Sequence, residues 1–153
     1  MRTIGGDLIA LAKAGHFDVI AHGCNCLHVM GGGIAAQIRR NFPEAYTADL
    51  ATPLAERGKL GTCSVAVVET GTGTLHVVNA YTQYDYATDR VQVDYAAVRE
   101  CMMWLGATYG GKRIGLPKIG AGLAGGDWPL IEAIIRDALL GENVTVVEFN
   151  GAA

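Results

Sequence analysis

Residues His22 to Ile34 read His-Gly-Cys-Asn-Cys-Leu-His-Val-Met-Gly-Gly-Gly-Ile, and they combine the residue types that chemistry on a phosphate ester requires. A triple glycine between a strand and a helix lets the backbone approach a ligand closely. It also aims amide N–H groups and a helix N-terminus at one point, an arrangement that suits phosphate. His22 ends the apolar run that leads in. An imidazole titrates near neutrality, so it could take a proton from attacking water or attack phosphorus itself. The competing reading is a structural histidine hydrogen-bonded to a loop backbone. A second glycine loop, Gly120-Ala121-Gly122-Leu123-Ala124-Gly125-Gly126, follows another apolar strand. Two such loops suggest a ligand with two phosphates held between them. Asp127 lies just past the second loop and could protonate a leaving oxygen. An Asp before Trp128-Pro129 is also a good helix N-cap, and capping lowers a carboxyl pKa, which suits a base better than an acid.

The remaining polar candidates are weaker. Lys118 either steers phosphate or is a solvated charge, and His28 either touches phosphate or is exposed loop. Tyr81, Tyr84 and Tyr86 surround the exit of a predicted hairpin, where one of them could cover a ligand face. His16 and His76 have no motif context and read as structural. The first loop is not a Walker loop, because no Gly-Lys-Ser/Thr follows. It is not a Gly-x-Gly-x-x-Gly dinucleotide turn either, since Ile34-Ala35-Ala36-Gln37 follows Gly33. Cys24 and Cys26 are too close for the usual zinc-pair spacing and read as small buried side chains at a strand end. No metal-ligand cluster is visible, and no metal or cofactor is expected.

The elements that position these residues alternate. Strands are predicted at 2–5, 17–22, 62–69, 74–81, 113–116 and 144–149. Helices are predicted at 8–14, from the first glycine loop to about Arg40, within 43–57, at 93–109 and at 129–140. Gly71-Thr72-Gly73 turns the third strand back on the fourth. This order implies an α/β fold: three α/β/α layers around a central mixed, mostly parallel sheet. Both glycine loops follow strands, so both belong at the carboxyl edge of that sheet, where ligands collect.

The chain has 153 residues, half of them apolar and 18% charged, with a formal net charge of −3. We read residues 1–153 as a single domain, since no repeat or linker divides them. The charge balance lacks the concentrated basic surface of a nucleic-acid binder. No apolar run reaches membrane-spanning length, and Met1 to Asp7 does not resemble a signal peptide. A cytoplasmic protein with reduced thiols is expected; a compact domain of this size is compatible with a monomer, and the sequence leaves the oligomeric state open.

Taken in order, these motifs resemble the macrodomain family, whose members bind ADP-ribose. The resemblance runs from Gly6-Asp7-Leu8 through Ala21-His22-Gly23-Cys24-Asn25 and Gly31-Gly32-Gly33-Ile34 to Gly120-Ala121-Gly122-Leu123. It implies that Asp7, with Leu8 beside it, accepts from the adenine amino group. Asn25 would bond the distal ribose. Gly31, Gly32, Gly33 and Ile34 would line that ribose and its phosphate. Gly120, Ala121, Gly122 and Leu123 would cradle the diphosphate. Within the family, His-x-Cys-Asn-Cys, Gly-Gly-Gly-Ile-Ala, Pro117-Lys118-Ile119 and Trp128 resemble the branch of ADP-ribose 1″-phosphate phosphatases. That branch implies a phosphatase, for which His22 and Asp127 are the candidate catalytic residues. Alternatives are a non-catalytic ADP-ribose reader or a hydrolase that frees modified macromolecules. Two glycohydrolase branches are disfavoured: Ala35 and Ala124 stand where each has an Asp, and no Lys lies between Lys59 and Lys112.

Overall fold

A computed structural model describes residues 1–150. The elements run β1 (Arg2–Gly6), α1 (Leu8–Lys13), β2 (Val19–Cys24), α2 (Gly33–Asn41), α3 (Pro43–Leu50), a 3₁₀ turn (Arg57–Lys59), β3 (Cys63–Thr70), β4 (Gly73–Tyr81), α4 (Tyr95–Tyr109), β5 (Ile114–Leu116), α5 (Trp128–Ala138) and β6 (Val144–Phe149). The order matches the pattern read from sequence, with boundaries shifted by a few residues. Helix α4 begins two residues later than its periodicity suggests because the Asp94 carboxylate accepts from the Ala97 amide and caps it there. Val93 is released to bridge Gln83 instead. Pro43 stops α2 and starts α3 as its first residue, where a missing N–H costs nothing.

The six strands form one mixed sheet in the order β1-β6-β5-β2-β4-β3. All pairings are parallel except the β3–β4 hairpin. Alternation along β2 divides the core into two layers. Val19 and Ala21 pack with Val98, Met102 and Leu105 of α4 and Ile131 and Ile135 of α5. Ile20 packs on the other face with Ile38 of α2, Ala45 of α3 and Leu8 and Ile9 of α1. Each such aliphatic side chain contributes about 2 kcal/mol when fully buried, so burial on both sides fixes the register of β2.

The connections after β2 and β5 place the site. These strands are parallel neighbours, yet the chain leaves β2 for the α2 layer and leaves β5 for the α5 layer. Neighbouring strands whose helices diverge leave a crevice between their carboxyl ends. Both glycine loops rim it.

Candidate functional site

A cleft of about 930 Å³ lies along that edge, within the range of pockets for small ligands and cofactors. It is lined by Asp7 and Leu8 at the β1–α1 junction, by Gly31 to Ala35 after β2, by Gly120 to Ala124 after β5, and by Val147 to Phe149 on β6. The structure therefore gathers Asp7, Leu8, Asn25, Gly31, Gly32, Gly33, Ile34, Gly120, Ala121, Gly122 and Leu123 around one space. From β6 to β4 along the sheet is three strand spacings, about 14 Å.

The middle of the cleft is built from backbone. Among the described residues, Gly31, Gly32, Gly33 and Ile34 donate no backbone hydrogen bond, as expected for the first turn of a helix. In the facing loop Ala121 gives its N–H to the Lys118 carbonyl, whereas Gly122 and Leu123 donate none. The loops touch each other. A Cβ on Gly32 would stand 2.9 Å from a Leu123 methyl, and one on Gly126 would stand 2.6 Å from the Gly120 carbonyl oxygen. Neither position accepts a side chain without movement. The N–H groups at the start of α2 and those of the second loop make an electropositive slot for a pyrophosphate.

Ionic and aromatic groups mark the end formed by β1, β5 and β6. The Asp7 carboxylate caps α1 through one oxygen, accepting from the Ala10 amide at 3.0 Å, which leaves the second oxygen for a ligand donor. Phe149 is exposed at the rim and offers a flat face on which a purine can stack. Lys118 is tied to Glu148 at 2.9 Å. Phe149 and Glu148 were not anticipated from sequence. A hydrophobic position ending the last strand was visible, but its neighbour across the sheet was not.

At the other end, Asn25 is buried and committed to its own loop. Its oxygen accepts from the Leu27 amide at 2.9 Å, and its NH₂ donates to the Val29 carbonyl at 2.7 Å. One N–H remains to donate to a ligand hydroxyl. Gln83 and Tyr86 complete this end. Of the three tyrosines considered, Tyr86 lines the cleft. Tyr84 donates to the Ala55 carbonyl beneath Arg57, and Tyr81 is buried. His28 is directed to the Thr52 carbonyl.

Two expected site residues are not brought into the cleft. His22 shares the face of Ile20 and is fully buried beneath α3. Its Nε2 donates to Asn79 Oδ1 at 2.7 Å, and Asn79 in turn donates to the Ala45 carbonyl and to Ser64 Oγ. Because the carbonyl consumes the Asn79 NH₂, its oxygen must face the imidazole, which assigns the Nε2–H tautomer. Burial pulls the His22 pKa down to about 4, partly opposed by the Asn79 bond. The ring is neutral and belongs to a polar cluster that continues through Ser64 and Tyr81 to the buried Asp49. His22 itself does not line the cleft, and its ring reaches that edge only through Cys24, whose Sγ lies 3.5 Å from Nε2. Asp127 occupies the N-cap position of α5 but makes no side-chain cap bond. It is exposed outside the cleft, because the Gly125-Gly126 turn directs the chain away first. Among the described residues, no group of His, Cys, Asp or Glu could hold a metal ion, and no helix is long and apolar enough to cross a membrane.

Comparison with known proteins agrees with this geometry. A family model described as the Macro domain matches residues 21–135. An uncharacterised 17.5 kDa protein from the tk–vs intergenic region of Enterobacteria phage T4 is 37% identical over 140 residues, 88% of this chain and 87% of that protein. A DNA ADP-ribosyl glycohydrolase of Mycobacterium tuberculosis is 29% identical over 143 residues, but the match covers only 37% of that protein against 86% of this chain. An ADP-ribose 1″-phosphate phosphatase of Scheffersomyces stipitis is 46% identical over 48 residues, 30% of this chain and 28% of that protein. Among solved structures, a Bacteroides thetaiotaomicron protein of unknown function superimposes with a TM-score of 0.75 at 30% identity, covering 96% of both chains. The macrodomain of Thermus aquaticus DarG does so with a TM-score of 0.72 at 26% identity, covering 97% of both.

Proposed function

The chain belongs to the macro domain family, and from that premise we propose that it binds ADP-ribose along the cleft and hydrolyses the terminal phosphate of ADP-ribose 1″-phosphate. The observation that carries the binding is the paired glycine loops, whose uncommitted amides converge between β2 and β5. In this reading the adenine lies by Phe149 and donates its amino group to Asp7. The pyrophosphate lies between the loops, and the distal ribose reaches Asn25. The local match to a phosphatase supports the terminal step. Ala35 and Ala124, both lining the cleft, place methyl groups where two glycohydrolase branches are expected to carry carboxylates.

Water attacks phosphorus, and amides at the start of α2 stabilise the charge on the phosphoryl oxygens. Positioning and electrostatics dominate such transfers, so an imidazole is dispensable. Calorimetry with ADP-ribose together with phosphate release from ADP-ribose 1″-phosphate tests the reading. Binding accompanied by phosphate release is expected. Binding without release would leave a reader of ADP-ribose, and absence of binding at millimolar ligand would remove the whole assignment. The longer match to a DNA ADP-ribosyl glycohydrolase favours a second reading, release of ADP-ribose from DNA, and a modified oligonucleotide belongs in the same assay.

A further inference from the structure

Hydrolysis at the distal end needs a group that holds the attacking water. The cleft side chains with a formal charge, Asp7, Lys118 and Glu148, stand at the ends of β1, β5 and β6. The end formed by β2 and β4 offers Cys24, Asn25, Gln83 and Tyr86. Cys24 is buried, which pushes its thiol up and keeps it protonated. The Asn25 oxygen already accepts from its own loop. Tyr86 is half exposed at the rim.

Gln83 differs from these in having an acceptor to spare and a fixed frame. Its carbonyl accepts from the Cys26 thiol at 3.4 Å on one side, and its backbone bridges Val93 on the other. Its side-chain Nε2 donates to the Asp85 carbonyl at 2.7 Å. A carbonyl can only accept, so this contact fixes which branch of the amide is nitrogen. Oε1 is the opposite branch and receives no donor among the described residues. A neutral amide cannot take a proton to keep, but it can hold a water by accepting one of its hydrogens and thereby aim the oxygen lone pair.

We propose that Gln83 is the water-orienting residue of this site; the inference rests on the phosphatase reading above. Oε1 accepts one hydrogen of the water while its oxygen attacks phosphorus opposite the bond to the C1″ oxygen. That P–O bond breaks, and its electron pair goes to the C1″ oxygen. In the phosphate monoanion, the ester's own acidic proton passes to the departing oxygen, and a proton of the water passes to a phosphoryl oxygen. The products are ADP-ribose and dihydrogen phosphate, so protons and charge balance without an ionisable side chain.

The test compares wild type, Gln83→Leu and Gln83→Glu for phosphate release from ADP-ribose 1″-phosphate, for ADP-ribose affinity and for melting temperature. Misaligning a reacting group costs about 100-fold in rate. Gln83→Leu is therefore expected to lose about that factor in kcat, with KM, ADP-ribose affinity and melting temperature nearly unchanged. Gln83→Glu keeps an acceptor at the same reach and is expected to recover part of the loss. Wild-type kcat in Gln83→Leu would overturn the inference and leave the phosphatase reading standing. A loss shared by kcat, affinity and melting temperature would overturn it as well, since that marks a structural residue. Wild type that binds ADP-ribose but releases no phosphate would overturn the hydrolytic reading and this inference together.

Discussion

The cleft and the polar cluster under α3 are built from the same strand ends, yet they treat polar atoms in opposite ways. In the cluster, the buried His22, Asn79, Tyr81 and Asp49 are bonded to one another, partly through the half-buried Ser64. In the cleft, loop amides and the second Asp7 oxygen remain uncommitted. A satisfied buried network holds elements together, and one with spare donors and acceptors can hold a ligand. Two residues, Gly23 and Cys24, separate His22 from Asn25, and that short distance divides the structural region from the binding region.

Substitutions should separate the two regions, and the largest effect belongs to the cluster. Asn79→Ala strips partners from His22, Ser64 and the Ala45 carbonyl. It should cost about 4 kcal/mol of stability, at one to three per orphaned group, with ADP-ribose affinity of the folded fraction retained. Denaturant unfolding measures the first and calorimetry the second.

The next largest effect is on pH dependence. Burial holds the folded pKa of His22 near 4, below the ordinary imidazole value of 6.5. The unfolded chain therefore binds a proton that the folded one refuses. Stability should be full above pH 6.5 and fall by about 3 kcal/mol as pH drops to 4, at 1.36 kcal/mol per unit. His22→Gln should flatten that window without changing phosphate release. A loss of turnover in a folded His22→Gln variant would join the two regions again.

In the cleft, Gly32→Val should weaken ADP-ribose about 30-fold, roughly 2 kcal/mol, while stability changes little. The atom it meets first is the mobile end of Leu123. Lys118→Met should have the smallest effect. Its ammonium is already paired with Glu148 near the surface, and such pairs are worth about 1 kcal/mol or less. A change in affinity beyond about fivefold would reassign Lys118 to phosphate binding.

Much of this division was legible in the sequence. Glycine loops after apolar runs, Asp7 before a helix, and the Gly71-Thr72-Gly73 turn each carry a local signal, and each stands where that signal placed it. The face of His22 was also encoded, because alternation sets it with Ile20 and Cys24. What alternation does not reveal is which face meets a helix and which meets a cleft. That depends on β5 and β4 flanking β2, a non-local fact. Gln83 is hidden in the sequence for the same reason. It follows β4, and only the pairing of β4 with β2 brings it beside Asn25. Asp127 illustrates a different gap: its cap position was readable, but the bend that turns it outward was not.

The Leu123 methyl resting at Gly32 roofs the slot between the loops. Leu123 is also 60% exposed, and exposed side chains change rotamer within picoseconds to nanoseconds. At micromolar ligand, productive encounters come about once per 0.1–10 seconds. The roof therefore lifts countless times between arrivals, so this leucine imposes no delay on entry, and residence time is governed by the grip of the amides below.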